Sequence, residues 1–297
     1  MGLYQNRIVV KVGTSTLTNE MGKSDLRSFD RIACVLSDIQ NMGYEVILVS
    51  SGAISVGTNK LNIKERPYSM RMKQAAAAVG QCSMMFLYDK FFNDYDKTIA
   101  QILLNAEDMN QEEKKENLIN TFDALLEMGI IPVVNENDSV SYTEIESEDR
   151  LFGDNDMLSA VVAVLCRANQ LVILSDINGL YDADPRLYPN ARLINRIEEI
   201  DETIYALAGG AGSRRGTGGM KTKLRAAALA TAQGIDTVIT NGKSPEALYE
   251  IVKGNKAGTL FAGKCFKTAQ TSSKASVFTI SVTEHLLSLF SYRLTFK

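Results

Sequence analysis

The sequence predicts a three-layer α/β/α sandwich on a mainly parallel central sheet, and three observations lead there. Six short runs rich in Val, Ile and Leu are apolar throughout rather than alternating, as strands covered on both faces are. Longer amphipathic stretches separate them, and such β-α alternation places helices on both sides of one sheet. Gly43, Gly129 and Gly234 sit just past three of those stretches, where a left-handed C-cap belongs.

In chain order, residues 8–12 form the first apolar run and 25–42 the first helical stretch, closed by Gly43. A strand over 46–50 and a helix over 70–92 follow, then a strand over 99–103 and a helix over 111–128 that ends at Gly129. The run 130–135 reads as the next strand, with helix 155–167, strand 171–175, helix 220–233 and strand 237–240 completing the alternation. Residues 178–196, with Gly179, Asp182, Pro185 and Pro189, read as a loop or hairpin over the sheet. Ligands of such a fold sit at the carboxyl ends of the strands.

Composition narrows the chemistry. The chain has 297 residues, 45% hydrophobic and 23% charged, enough to bury a sizeable core and to exclude disorder over most of its length. A net charge of −3 gives no global sign of a nucleic-acid partner. The charge is uneven, with +4 over 264–297 and −7 before it. Cys34, Cys82, Cys166 and Cys265 lie far apart with no CxxC, which argues against a disulfide framework and a zinc site. The single histidine, His285, falls in the basic tail, so a histidine triad or cluster is excluded from the body. No leader precedes the first strand and no apolar run approaches the ~18 residues of a membrane helix. The expectation is a cytoplasmic protein with no membrane partner.

Four constellations carry candidate chemistry. Lys11-Val12-Gly13-Thr14-Ser15 places a cation at a strand end before a small-residue turn. It is either a solvated strand end or a grip on phosphate, made by a fixed cation and open backbone N–H groups. Ser50-Ser51-Gly52-Ala53-Ile54 follows the second strand and serves either as a helix cap or as a carboxylate or phosphate site. Gly216-Thr217-Gly218-Gly219-Met220-Lys221-Thr222-Lys223 opens a helix, with amides able to cradle a triphosphate. GxxxxGK[ST] and GxGxxG are both absent. The fourth is acidic: Asn135-Glu136-Asn137-Asp138 at a strand end, and Gly153-Asp154-Asn155-Asp156 opening a helix. These carboxylates either cap the helix, hold the lysines in position, or bind an ammonium or Mg²⁺. Glu144, Glu146, Glu148 and Asp149 between them read as a solvated loop face.

The lack of histidine is informative. A hydroxyl acceptor often needs a base to take its proton, whereas a carboxylate, with a reference pKa of ~4, is ionised already. It needs only positioning and charge neutralisation. Two lysines and a glycine-rich loop suggest a kinase acting on an acid.

Taken together, Lys11-x-Gly13-Thr14-Ser15, Ser51-Gly52-Ala53, the stretch from Ser175-Asp176 through Gly179-Leu180-Tyr181 to Asp184-Pro185, and Gly216 to Lys223 resemble the amino acid kinase superfamily. Val79-Gly80-Gln81, the Asn135 to Asp138 motif and Phe152-Gly153-Asp154-Asn155-Asp156 resemble its glutamate 5-kinase branch. The likeness covers about residues 7–263. It implies transfer of the ATP γ-phosphoryl group to the γ-carboxylate of L-glutamate, with Mg²⁺ held mainly through the ATP phosphates. It also implies glutamyl 5-phosphate as product, passed to a reductase in the first step of proline biosynthesis, with proline as feedback inhibitor. Carried over, Lys11 and Lys223 neutralise the transferring group, and Asp156, helped by Asp154, orients them. Ser51, Gly52, Asp138 and Asn155 bind glutamate. Lys11, Gly13, Ser175, Asp176, Thr217, Gly218, Gly219, Met220, Lys221, Thr222 and Lys223 hold ATP.

Many bacterial members of that branch carry a C-terminal RNA-binding-like PUA domain. The 34 residues after Gly263 are too few for one, so the expectation is a kinase domain over 1–263 and a short basic tail over 264–297. Within the tail, 277–282 reads as a last strand and 285–292 as a short helix or strand. Arg214-Arg215 reads as a charged lip near the nucleotide. Met70, Met72, Met84 and Met85 share a helical stretch with Ala75 to Ala78. Its plain reading is core, but the superfamily resemblance and the adaptability of Ala-Met surfaces point to a homodimer or tetramer through it.

Overall fold

The computed structural model describes residues 6–19, 22–63, 69–140, 154–208 and 219–264. The Arg214-Arg215 pair, the acidic run 144–149 and the tail beyond Lys264 lie outside them.

Eight strands form one sheet in the order β3-β4-β2-β1-β5-β7-β8-β6. They are β1 (Arg7–Val12), β2 (Glu45–Ser50), β3 (Ile99–Leu104), β4 (Ile131–Glu136), β5 (Gln170–Ser175), β6 (Arg196–Ile197), β7 (Asp236–Asn241) and β8 (Thr259–Phe261). Neighbours pair in parallel except β7 with β8, which run antiparallel. The helices are α1 (Thr14–Leu17), α2 (Leu26–Asn41), α3 (Ala53–Lys60), α4 (Met70–Asp94), α5 (Glu112–Glu127), α6 (Asn155–Leu165), α7 (Glu202–Leu207), α8 (Met220–Ala232) and α9 (Ala247–Val252).

Successive residues of a strand point to opposite faces, and the core divides accordingly. Val9, Ile47 and Val49 bury against α5, α6 and α8. Ile8, Val10 and Val12 bury against α2, α3, α4 and α9. Lys11 shares the parity of Val9, so its side chain faces the α6 and α8 layer. From β1 the chain crosses to β2 on one side, and from β5 to β7 on the other. The carboxyl ends of β1 and β5 therefore flank the crevice where a parallel sheet binds its ligand.

Every strand and helix expected before residue 264 is present, with ends moved by no more than two residues, while the elements expected over 277–282 and 285–292 lie outside the described residues. Gly43, Gly129 and Gly234 take φ of +92°, +71° and +80°, as their C-cap reading requires. The helix expected over 155–167 stops at Leu165, and Arg167 takes φ +51°. The 178–196 segment is hairpin-like, with an antiparallel bridge between Tyr181 and Leu193.

The sequence reading left out α1, α3, α7, α9, β6 and β8. All are eight residues or shorter, too short for periodicity to declare them. α3 owes its place to a close helix crossing. A Cβ on Gly57 would lie 1.7 Å from the Ala76 carbonyl oxygen, and one on Gly80 1.8 Å from that of Ala53. The backbones of α3 and α4 touch there because neither residue has a side chain.

Candidate active site

Lys11 is not a solvated strand end. Its side chain is only 7% exposed, and its Nζ lies 2.6 Å from Asp156 Oδ1. Asp156, in the first turn of α6, is fully buried. Its other oxygen, Oδ2, accepts from Lys223 Nζ at 3.0 Å and from Thr222 Oγ1 at 3.1 Å. Lys223, the fourth residue of α8, is likewise buried. Three residues far apart in the chain thus form one ion triplet at the β1–β5 crevice. Burial alone would push the Asp156 carboxyl up. The charges and hydrogen bonds of Lys11 and Lys223 outweigh it and hold the group at about 2. Burial also works against the Lys223 charge, and Asp156, with Asp154 and Asp176 behind it, raises that ammonium above the ordinary lysine value. The triplet has two positive charges against one negative. It holds a net positive charge in low dielectric, where an incoming anion is attracted far more strongly than in water.

The surrounding groups suit phosphate. Gly219 caps α8 with no side-chain bond to its first turn, which holds Met220, Lys221 and Thr222. Gly13 likewise caps α1 without a side-chain bond, and a Cβ there would approach Lys11 Nζ to 3.5 Å. Ser175 ends β5 and donates its hydroxyl to Asp176 Oδ1 at 3.1 Å. Asp154 caps α6 by accepting from the Asp156 N–H at 3.0 Å. Its Oδ2 is buried with no hydrogen-bond partner among the described residues.

A second set of polar groups lies at the ends of β2 and β4. Gly52, at φ +109°, caps α3 without a side-chain bond, so the first-turn N–H groups of α3 remain open to an anion. The Ser51 N–H donates to the Val12 carbonyl at 3.1 Å, tying this turn to the end of β1. Asn155 donates to the Ser50 carbonyl and to Asn135 Oδ1, both at 2.9 Å. Asp138, half-buried just after β4, is pushed up to about 6 by burial.

The sequence-derived candidates therefore separate into two adjoining groups. Lys11, Gly13, Asp154, Asp156, Ser175, Asp176, Gly219, Met220, Lys221, Thr222 and Lys223 belong to the crevice. Ser51, Gly52, Asp138 and Asn155 belong to the β2–β4 side. Thr217 and Gly218 lie outside the described residues. Asp154 realises the capping reading, while Asp156 realises the lysine-holding one. Gln81 and Asn135 were read only as motif letters. Asn135 is buried, and its Nδ2 donates to Gln81 Oε1 at 2.9 Å. The available signal was an asparagine near the end of an apolar strand, which needs a partner when buried.

The sequence pattern of the amino acid kinase family matches residues 6–241. The chain belongs to the amino acid kinase family. This amino acid kinase is 53% identical over 258 residues to the glutamate 5-kinase of Clostridium perfringens, covering 87% of its own length and 96% of that protein. It is 50% identical over 259 residues to the glutamate 5-kinase of Clostridium acetobutylicum, covering 87% and 95%. Among solved structures, it matches the carbamate kinase from Giardia lamblia bound to AMP-PNP with a TM-score of 0.62 and 15% identity, over 86% of this chain and 98% of that one. The UMP kinase from Bacillus anthracis matches with a TM-score of 0.59 and 12% identity, over 88% and 97%. At those identities the structural likeness establishes the fold alone.

Proposed function

We propose that the protein transfers the γ-phosphoryl group of ATP to the γ-carboxylate of L-glutamate, giving glutamyl 5-phosphate. The observation that carries the proposal is the buried Lys11–Asp156–Lys223 triplet. It stands beside a set of acceptor groups, in a chain half identical to glutamate 5-kinases. The acceptor carboxylate is ionised near neutral pH, so no side chain has to remove a proton from it. Lys11 and Lys223 neutralise the charge spread over the transferring phosphoryl oxygens, and Asp156 fixes both ammonium groups in place. The open first turn of α8 and the Ser175-Asp176 strand end hold the nucleotide. Ser51, Gly52 and the α3 N-terminus take a carboxylate of the acceptor, while Asp138 and Asn155 take its ammonium.

Mg²⁺ fits this arrangement. Asp154 Oδ2, without a hydrogen-bond partner among the described residues, and the exposed Asp176 are hard oxygen ligands of the kind that holds it together with phosphates. When bound, the ion supplies further charge neutralisation at the phosphate oxygens. Among the described residues no helix is long and apolar enough to cross a membrane. The reading also covers a cytoplasmic setting, with no nucleic-acid partner, feedback inhibition by proline, and release of the acyl phosphate to a reductase. It makes the protein a homo-oligomer through α4, where Met72 and Phe86 are exposed. A light-scattering mass of one 32.6 kDa chain would exclude the oligomer.

The test is ADP release from Mg-ATP with L-glutamate, N-acetyl-L-glutamate, L-aspartate, carbamate and UMP, with hydroxylamine present to trap an acyl phosphate. Turnover confined to glutamate, with hydroxamate formed, is the expected result, and proline then lowers it. Turnover with another acceptor instead would reassign Asp138 and Asn155.

The Asp138 environment gives the reaction a pH signature. An ammonium is held by the ionised carboxyl, so binding is at full strength well above pH 6 and falls to about half near it. As pH falls below about 6, the KM for glutamate is expected to rise up to about tenfold per pH unit. The γ-carboxylate of glutamate titrates lower, near ~4.3, and Asp156 stays ionised to about 2, so kcat changes little down to pH 5. Asp138→Asn should remove the KM dependence. A KM that is flat from pH 5 to 8 in the parent enzyme would take Asp138 out of substrate binding.

A further inference from the structure

We infer that Gln81, on the long helix α4, is a positioning residue that selects for the ammonium of the acceptor. It would act through a directed relay of side-chain amides, Gln81–Asn135–Asn155. The inference rests on the proposed function and adds a determinant of acceptor specificity to it.

The direction of the relay follows from its far end. The Asn155 side chain lies 2.9 Å from the Ser50 backbone carbonyl, which can only accept. The atom facing it must therefore be Nδ2, whichever way an amide is otherwise drawn. The second hydrogen of that NH₂ group is directed at Asn135 at 2.9 Å, so Asn135 must present Oδ1. Asn135 then turns its own NH₂ toward Gln81 at 2.9 Å, and Gln81 must present Oε1. One backbone carbonyl thus sets the orientation of three amides. With both hydrogens of Asn155 in use, the polar atom it has left for a ligand is its carbonyl oxygen. Asn155 can accept from an ammonium but has nothing to donate to a carboxylate.

Gln81 is well placed to lock the relay. It follows Gly80, whose backbone rests against the first residue of α3. Two turns on, Tyr88 of the same helix bonds the Ser50 hydroxyl at 2.9 Å. α4 therefore anchors the relay at Gln81 and braces the strand end at Ser50. Without the Gln81 acceptor, the Nδ2 of the buried Asn135 loses its partner, and Asn135 must shift to find another. That shift pulls on the Asn155 amide bonded to it, and the Asn155 carbonyl oxygen is no longer held where the acceptor's ammonium should sit.

The test compares Gln81→Met, which keeps length and removes the acceptor, with Gln81→Glu, which keeps an acceptor oxygen. KM and kcat are measured for L-glutamate and for glutarate, which lacks the ammonium, together with the KM for ATP and Tm. Gln81→Met is expected to raise the glutamate KM about tenfold and to shrink the preference over glutarate by a similar factor. Its kcat and ATP KM should stay within about twofold of the parent, and Gln81→Glu should match the parent throughout. Gln81→Lys, which offers donors only, carries the same expectation as the Met variant and serves if that variant aggregates. An unchanged glutamate KM in the Met or Lys variant overturns the relay. So does a Glu variant as impaired as the Met one, or a parallel loss of Tm, kcat and ATP affinity. A parent enzyme that does not turn over glutamate instead overturns the proposed function, before any variant is made.

Discussion

Lys223→Ala is expected to lower kcat by on the order of 10³ while leaving the glutamate KM within a few-fold of the parent value. The asymmetry comes from where the lysine stands. Its Nζ is 3.0 Å from Asp156 Oδ2, in the crevice group. Its charge matters most when the phosphoryl oxygens carry their developing charge, so the loss falls on the transition state. Removing one arm of a buried ion group often unfolds the protein, because a charge is left unpaired. Here Asp156 keeps Lys11 at 2.6 Å and the Thr222 hydroxyl at 3.1 Å, so the variant should fold and bind ATP. Steady-state kinetics with a thermal melt decide the matter. A rise in KM at unchanged kcat would falsify the transition-state role.

The second large effect is structural. Gly80→Ala would place a methyl group 1.8 Å from the Ala53 carbonyl oxygen and 2.6 Å from the Gly57 nitrogen. Both obstacles are backbone, so no rotamer change relieves the overlap and α3 and α4 must separate. Overpacking of this kind costs about 3 kcal/mol, the upper end of its usual range. That corresponds to a Tm lower by about 6–12 °C for a domain of this size. Ala53 directly follows Ser51 and Gly52, so the glutamate KM should rise in the same variant. Gly219→Ala is the control, because a Cβ there meets nothing within 4 Å among the described residues and φ is −79°. Equal melting temperatures for the two variants would mean that α3 and α4 separate at the crossing without cost.

The sheet and its helices were legible because their signals are local. Unbroken apolar runs and a glycine at the C-cap need no knowledge of the rest of the chain. Lys11, Asp156 and Lys223 were legible as candidates because each stands at an element's end, where a parallel sheet gathers its ligands. Their union on one carboxylate was suggested by the family resemblance, since no spacing rule joins residues so distant. α3 was not legible. Its sequence, Ala53-Ile54-Ser55-Val56-Gly57-Thr58-Asn59-Lys60, is poor in strong helix formers. It is helical because Gly57 lets α4 lie against it, a tertiary cause that leaves no periodic trace. The Gln81–Asn135–Asn155 relay was hidden for a related reason. Its members come from a helix interior, a strand and a helix start, and the roles of the amides depend on a backbone carbonyl that composition cannot reveal.

The central place of β1 has a consequence for how the chain is made. β1 pairs with β2 on one side soon after it is synthesised, but its other side waits for β5. Roughly 160 residues separate the two strands, which at 5–20 residues per second is on the order of 10–30 s of translation. For that interval the run Ile8–Val9–Val10 offers an unpaired, apolar strand edge, the feature most prone to recruit other chains. The strand that ends as the best protected of the sheet begins as its most vulnerable one. During biogenesis the hazard therefore lies at the middle of the sheet rather than at its rim.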